Sequence, residues 1–195
     1  MSVVRIVTCV RDISPSLPQD GMYILRDPSD LLMAPGRLSN KILVIGLGSP
    51  IMSDDAVGLR VVDIIASKNI PGVETRQEAI GGLDIIPLIT GYRNVIIVDA
   101  VRTGAYGPGT VIIFDPEDFE PTVANASAHE FNLATAMHIG RQLDPDSMPE
   151  TVKFVAIEVL DLMTVSETMT AEVENALPDA VDAVLNIVNA IQRSI

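Results

Sequence analysis

The chain has 195 residues, of which 48% are hydrophobic and 20% charged, a composition typical of a globular protein with one substantial core. Its 26 acidic side chains outnumber its 13 basic ones, and the resulting net charge of −13 disfavours a nucleic-acid partner, whose phosphates would be repelled. A single cysteine, Cys9, excludes an internal disulfide, and no apolar run is long enough for a membrane helix, so we expect a cytoplasmic protein with no membrane partner.

The first forty residues differ in character from the rest of the chain. They carry four acidic and four basic side chains, which leaves 22 acidic against nine basic in the remainder. Two β-like runs, Val3–Val10 and Met22–Arg26, flank a turn-rich stretch, and a connector with two prolines follows them. We interpret residues 1–40 as an N-terminal β-like extension, a hairpin or an edge ribbon followed by a connector. Residues 41–195 form the predicted main domain.

From residue 41 onward, strand-like and helix-like segments alternate. Strands are predicted at Lys41–Gly46, Val73–Glu78, Asn94–Asp99, Thr110–Phe114 and Val152–Ile157. Helices are predicted at about Asp54–Lys68 with Ser53 as N-cap, at Leu83–Thr90, at His129–Leu143, and from about Thr170 onward with a kink or break at Pro178. The alternation predicts an α/β fold, a three-layer sandwich with a mostly parallel five-stranded sheet flanked by helices.

Two acidic residues fall where α/β proteins gather their ligand sites, beyond the carboxyl ends of the strands. Asp99 ends the third predicted strand, and Asp55 lies at the start of the helix that follows the first strand. A carboxylate at the tip of an apolar strand is costly unless it is paired, hydrogen-bonded or bound to metal. The ordinary alternatives are a loop hydrogen bond for Asp99 and an interaction with the helix dipole for Asp55.

Imidazole chemistry has two candidates, since the sequence holds only two histidines. His129 opens a predicted helix, where a side chain can project into a strand-end crevice, whereas His138 lies inside that helix and is expected to be an ordinary packed or solvated imidazole. Together with Asp55 and Asp99, His129 would complete a set of two carboxylates and one imidazole. Such a set suits nickel, zinc, manganese or iron, and three protein ligands leave room for an incoming group.

Other chemistries have weaker support. The sequence lacks the G-x-S-x-G elbow of serine hydrolases and the second histidine of the H-E-x-x-H zinc motif. The stretch Gly46–Ile51 follows a strand but has isoleucine in place of the third glycine of a dinucleotide motif. We therefore interpret its two glycines as a sharp strand-to-helix turn.

Five segments in order resemble hydrogenase maturation endopeptidases, and the resemblance spans about residues 41–190. They are ILVIGLGSPIMSDDAVGLRVVDII, then GGLD with VIIVDAVRTG, then GPGTVIIF, then SAHEFNL, and finally SETMTAEVENALPDAVDAVL. The sequence departs from many family members in having Ala56 where they have glycine, and aspartate rather than glutamate at position 55. Residues 1–40 find no match in the family.

The resemblance implies a function and a partner. It implies an aspartyl-type endopeptidase that activates a nickel–iron hydrogenase by trimming the C-terminal extension of the large-subunit precursor after recognising its bound nickel. Asp55, Asp99 and His129 match the family's metal-contacting positions, and their catalytic and metal-binding roles are not separable by motif. Nickel is expected to arrive with the substrate, and cadmium or zinc to substitute for it in vitro. Gly81 and Gly82 are expected to shape a turn near the cleft.

Two other functions remain open from the residues alone. The same fold could hold a metal or a nucleotide as a non-catalytic binding module. Alternatively, it could be an aspartate-based hydrolase of small molecules, which would carry a tightly bound metal of its own.

Overall fold

In the computed structural model, the described residues are 38–116 and 128–194, without the side chains of residues 128–132 and 134. The predicted extension over residues 1–40 therefore lies almost wholly outside the described residues, as does Cys9. The described strands are β1 (Ser39–Leu47), β2 (Val73–Glu78), β3 (Tyr92–Val101), β4 (Val111–Phe114) and β5 (Thr151–Glu158). The described α-helices are α1 (Val57–Ser67), α2 (Ile86–Ile89), α3 (Ala128–Leu143) and α4 (Ala171–Ser194), and the 3-10 turns Ser53–Ala56 and Gly82–Ile85 lead into α1 and α2.

The five strands form one sheet in the order β2-β1-β3-β5-β4. Strand β1 pairs in parallel with both β2 and β3, and β3 pairs in parallel with β5. Only the edge strand β4 is antiparallel, against β5. The predicted mostly parallel five-stranded sheet is confirmed.

Two apolar layers cover the two faces of this sheet. Alternate residues of β1 serve them in turn, since Ile42 and Val44 belong to the core shared with α1 and α4, whereas Leu43 and Ile45 belong to the core shared with α2 and α3. All four side chains are buried, and each such burial stabilises the fold by about 1.5–3 kcal/mol. The three-layer prediction is confirmed, because helices pack on both faces.

The prediction that Ser53 caps the first helix is wrong. Ser53 has a φ of +49° and lies inside the 3-10 turn, and its hydroxyl donates to the Thr168 carbonyl at 3.2 Å. Loop carbonyls already accept the backbone N–H groups of this turn, Ser53 donating to Ser166 and Asp54 to Asp161. A side-chain cap is therefore not needed.

The last helix follows its predicted apolar face but not its predicted interruption. The predicted face is buried at Val173, Ala180, Val181, Val184, Val188 and Ile191, with Leu177 partly buried. Helix α4 runs without a break through Pro178, because its apolar face packs against α1 and the sheet on both sides of the proline. Among the described residues, no helix is long and apolar enough to cross a membrane.

Candidate active-site cleft

The order of the strands places a cleft at one end of the sheet. From β1 the chain crosses to β2 on one side, while β3 lies on the other side of β1. In open α/β sheets, ligands bind beyond the carboxyl ends of the strands at such a reversal point. A cleft of about 520 Å³ lies there, lined by Leu47, Gly48, Ser49, Met52, Asp55, Ala79, Ile80, Gly81, Asp84, Asp99, Ala100 and Leu162.

Asp55 reaches the cleft from the 3-10 turn that leads into α1. The backbone N–H of Ser49 donates to its Oδ2 at 2.7 Å, so the loop after β1 holds the carboxylate in place. Gly48 has a φ of +135°, and a Cβ there would collide with the backbone carbonyl of Asp55. Glycine is therefore required at position 48 for the loop to wrap this closely, which confirms the predicted turn for Gly48, whereas Gly46 lies within β1 and not in the turn.

Two further glycines bring the start of α1 directly onto the sheet. A Cβ on Gly58 would lie 2.5 Å from the Val98 carbonyl of β3 and would also overlap the Leu47 carbonyl of β1. A Cβ on Gly46 would in turn overlap the Gly58 carbonyl. Backbone-on-backbone packing of this kind sets the position of the turn that carries Asp55. It also explains why glycine is needed at position 58, three residues after Asp55.

Asp99 lies within β3 and not at its end, so that part of the prediction is wrong. Strand β3 continues through Val101, because pairing with β5 extends as far as Val101 opposite Glu158. The Asp99 side chain is buried, with 8% of its surface exposed, and its Oδ1 accepts the Ala100 N–H at 2.8 Å. A carboxylate buried this far needs polar partners or a cation, and Asp99 lines the same cleft as Asp55.

His129 is placed only through its backbone, as the second residue of α3. Helix α3 packs against the 3-10 turn Gly82–Ile85, and Leu133, one turn beyond His129, shares a core with Ile85. Helix α3 therefore covers the same face of the sheet as that turn, which carries Asp84 of the cleft. Among the described side chains no group of three His, Cys, Asp or Glu residues is placed to hold a metal. The His129 side chain is not among those described, so its coordination stays a prediction.

His138 is solvent-exposed near the middle of α3, where its Nε2 lies 3.1 Å from the Gln142 Nε2. The expectation of an ordinary solvated imidazole is confirmed.

Asp54 is a structural residue that the sequence did not reveal. Its side chain is 0% exposed, and it accepts hydrogen bonds from four donors of one loop. The donors are the Leu160 N–H at 3.2 Å, the Asp161 N–H at 3.0 Å, the Thr170 N–H at 2.7 Å and the Thr170 hydroxyl at 3.0 Å. Asp54 therefore ties the loop after β5 to the turn that carries Asp55. Its partners lie more than a hundred residues away along the chain, so no local pattern could have indicated them.

Glu158 is another buried carboxylate that the sequence did not reveal. It accepts the Thr103 hydroxyl at 2.7 Å and the Gly104 N–H at 2.8 Å. It thereby fixes the loop that follows β3, which ends at Val101. Both missed acids hold loops around the cleft and do not line it.

The described lining of the cleft is acidic. Asp84 adds a third carboxylate to Asp55 and Asp99, and no lysine, arginine or histidine is among the lining residues whose side chains are described. Gly82 has a φ of +63°, so the turn between Gly81 and Asp84 requires glycine, as predicted. Low-dielectric walls of one sign concentrate the potential and favour a cationic occupant.

Shifted pKa values occur at Asp161, in the loop held by Asp54, and at Tyr92, at the end of the sheet opposite the cleft. The Thr164 hydroxyl and the N–H groups of Met163 and Thr164 lower the pKa of Asp161, in the loop held by Asp54. Burial and a hydrogen bond to Glu74 raise the pKa of Tyr92 to about 12. Tyr92 begins β3, at the end of the sheet opposite the cleft, so it has no part in the site.

Comparisons with known proteins agree with this architecture. A profile of the hydrogenase maturation protease family matches residues 80–187, a range that includes Asp99 and His129 and begins after Asp55. The hydrogenase 2 maturation protease of Escherichia coli K12 is 28% identical over 100 residues, which are 50% of this chain and 61% of that protein. The hydrogenase expression/formation protein HupD of Rhizobium leguminosarum bv. viciae is 22% identical over 153 residues, covering 77% of this chain and 75% of that protein.

Among solved structures, the hydrogenase maturating endopeptidase HybD from E. coli superposes with a TM-score of 0.65 at 24% identity. The superposition covers 77% of this chain and 93% of that one. At this identity the likeness establishes the fold, an α/β sheet flanked by helices.

Proposed function

The chain belongs to the hydrogenase maturation protease family, and from this membership we propose that it trims the C-terminal extension of a nickel–iron hydrogenase large-subunit precursor after recognising the nickel bound to that precursor. One observation supports the proposal most. Two carboxylates from separate elements, Asp55 and Asp99, line one cleft at the reversal point of the sheet.

Carboxylate oxygens are suitable ligands for a divalent metal, and a histidine nitrogen is a suitable third ligand. We assign the third position to His129, because it opens a helix that packs against a turn of the cleft. With three protein ligands, coordination positions remain for groups of the substrate. Nickel would then arrive as part of the substrate, held jointly by the precursor and by Asp55, Asp99 and His129.

Peptide hydrolysis needs a polarised carbonyl and a water that can lose a proton. A divalent metal beside the scissile bond supplies the first. A carboxylate within hydrogen-bond reach of the water supplies the second. The acidic walls of the cleft also favour a precursor that arrives with its metal over one that arrives without it.

Deleting the gene for this protein tests the proposed function directly. The large-subunit precursor should then keep its extension and migrate more slowly on a denaturing gel, because nothing removes the tail. Reintroducing the wild-type chain should restore the shorter band. Normal processing in the deletion strain, in the absence of a second maturation protease, would refute the proposed activity.

Metal binding tests the proposed ligands. Titration of the purified protein with nickel, cadmium and other divalent metals should show reversible binding, and among the first-row metals its strength should follow the Irving–Williams order, since the ligand set has no built-in preference for nickel. The His129→Ala variant should bind at least about tenfold more weakly, a loss of about 1.4 kcal/mol. The matched His138→Ala variant should bind like wild type, because His138 is exposed on the body of α3. Full-strength binding by His129→Ala would show that the third ligand is another residue.

A further inference from the structure

Exposed apolar side chains collect beside one wall of the cleft. Ile51, Leu160, Met163 and Val165 are exposed, and they make up half of the eight large exposed hydrophobic residues among the described ones. They come from two short segments that lie side by side, since Ser166 donates to the Ile51 carbonyl and Ser53 donates to that of Ser166. We call these four residues the apolar rim. Single exposed apolar residues are common, but a group of them on two neighbouring segments favours an interaction site.

The rim is held in place by hydrogen bonds on both of its segments. Asp54 accepts the N–H groups of Leu160, Asp161 and Thr170, and Asp161 accepts those of Met163 and Thr164 at 2.9 and 3.0 Å. Met163 and Val165 nevertheless expose 78% and 76% of their surfaces. Because the backbone of this loop is fixed at several points, binding a partner costs little further ordering of the backbone.

The rim is continuous with the cleft. Met52 follows Ile51 and lines the cleft, and Leu162 lies between Leu160 and Met163 and also lines it. The charge of the rim loop indicates which kind of segment binds there. The loop, residues 160–170, carries Asp161 and Glu167 and contains no basic residue. An apolar segment that also bears lysine or arginine fits this surface.

We infer that the apolar rim docks the precursor, binding an extended segment next to the scissile bond that carries apolar side chains beside lysine or arginine. This inference rests on the proposed function, since it names the part of the substrate that lies outside the metal-reading cleft. Binding of this segment at the rim sets how often the scissile bond enters the cleft. Asp55 and Asp99 act on the scissile bond once it is in the cleft.

The test uses the full chain and the purified nickel-loaded precursor. The double variant Met163→Ser/Val165→Ser should raise KM for processing at least about tenfold with kcat nearly unchanged. The substitutions remove two apolar side chains that would be buried against the precursor. Glu167→Gln should raise KM less and reduce its dependence on salt, because an exposed charge acts through screened attraction. The control is Leu143→Ser, which removes an equally exposed apolar side chain, 77% exposed, from the far end of α3. This variant should keep the wild-type KM.

Binding of the same precursor, measured without turnover by including the Asp55→Asn substitution in every chain, separates the two proposals. An unchanged KM and unchanged binding in the double variant would overturn the rim while leaving the protease assignment intact. Rim-dependent binding in this assay, together with no shortening of the precursor by the chain that retains Asp55, would overturn the protease assignment and keep the rim. Absence of binding in this assay, together with no shortening of the precursor by the chain that retains Asp55, would overturn both.

Discussion

Replacing Asp55 by asparagine is expected to lower the rate of precursor processing at least about a hundredfold while the domain stays folded. The substitution removes the charge that would contact the metal or accept a proton. It keeps an oxygen that can accept the Ser49 N–H, now bonded to Oδ2 at 2.7 Å. Asp99→Asn should behave alike, since its amide oxygen can still accept the Ala100 N–H. Initial rates of tail removal and the thermal midpoint measure the two effects separately.

Two other aspartates serve as matched controls for this experiment. Asp182→Asn makes the same chemical change on the exposed side of α4 and should process the precursor at the wild-type rate. Asp84→Asn makes it inside the cleft but outside the proposed ligand set, so its effect should be clearly smaller than that of Asp55→Asn. A variant of Asp55 that retains more than about a tenth of wild-type activity would remove this residue from the chemistry.

The layered fold was predictable because its strands are buried from both sides. Ile96 and Ile97 point to opposite faces of β3 and neither is exposed, so the strand reads as an unbroken apolar run between polar neighbours. The same signal appears in β1, and in β5 only after Lys153. Helix α4 was predictable for a different reason, since its buried residues recur at three- and four-residue steps along 24 residues.

The positions of Asp55 and Asp99 in one cleft were also predictable, because parallel strands deliver their carboxyl ends to one edge of the sheet. The exact end of β3 was not, since pairing with β5 decides it and residues after Asp99 remain apolar. Asp54 shows the limit more sharply. It stands beside Asp55 in the sequence, yet it is fully buried while Asp55 faces the cleft, and only tertiary contacts distinguish the two.

Replacing Asp54 by alanine is expected to produce the largest loss of stability. Asp54→Ala removes all four hydrogen bonds of a fully buried carboxylate and leaves three backbone N–H groups without an acceptor. Unsatisfied buried donors cost about 1–3 kcal/mol each, although water can reach some of them once the side chain is gone. We expect the free energy of unfolding to fall by about 3–5 kcal/mol, the range for breaking a buried charged network.

Two milder variants dissect that network. Asp54→Asn can keep an oxygen near the Oδ2 position, which accepts Leu160, Asp161 and the Thr170 hydroxyl, but it replaces the oxygen that accepts the Thr170 N–H at 2.7 Å. Its loss of stability should therefore be intermediate. Thr170→Val removes the hydroxyl alone and should cost about 1 kcal/mol. Urea unfolding ranks the three variants, and a different order would contradict the assigned hydrogen bonds.

Amide hydrogen exchange locates the effect of Asp54→Ala within the molecule. If Asp54 holds the loop after β5, the N–H groups of Leu160, Asp161 and Thr170 should lose most of their protection under conditions where the central strands remain protected. The same loop carries Met163 and Val165, so KM for the precursor should rise in Asp54→Ala even at temperatures where the domain is folded. Unaltered protection of these three amides would mean that the loop is held by other contacts, and the link between the buried carboxylate and substrate docking would be lost.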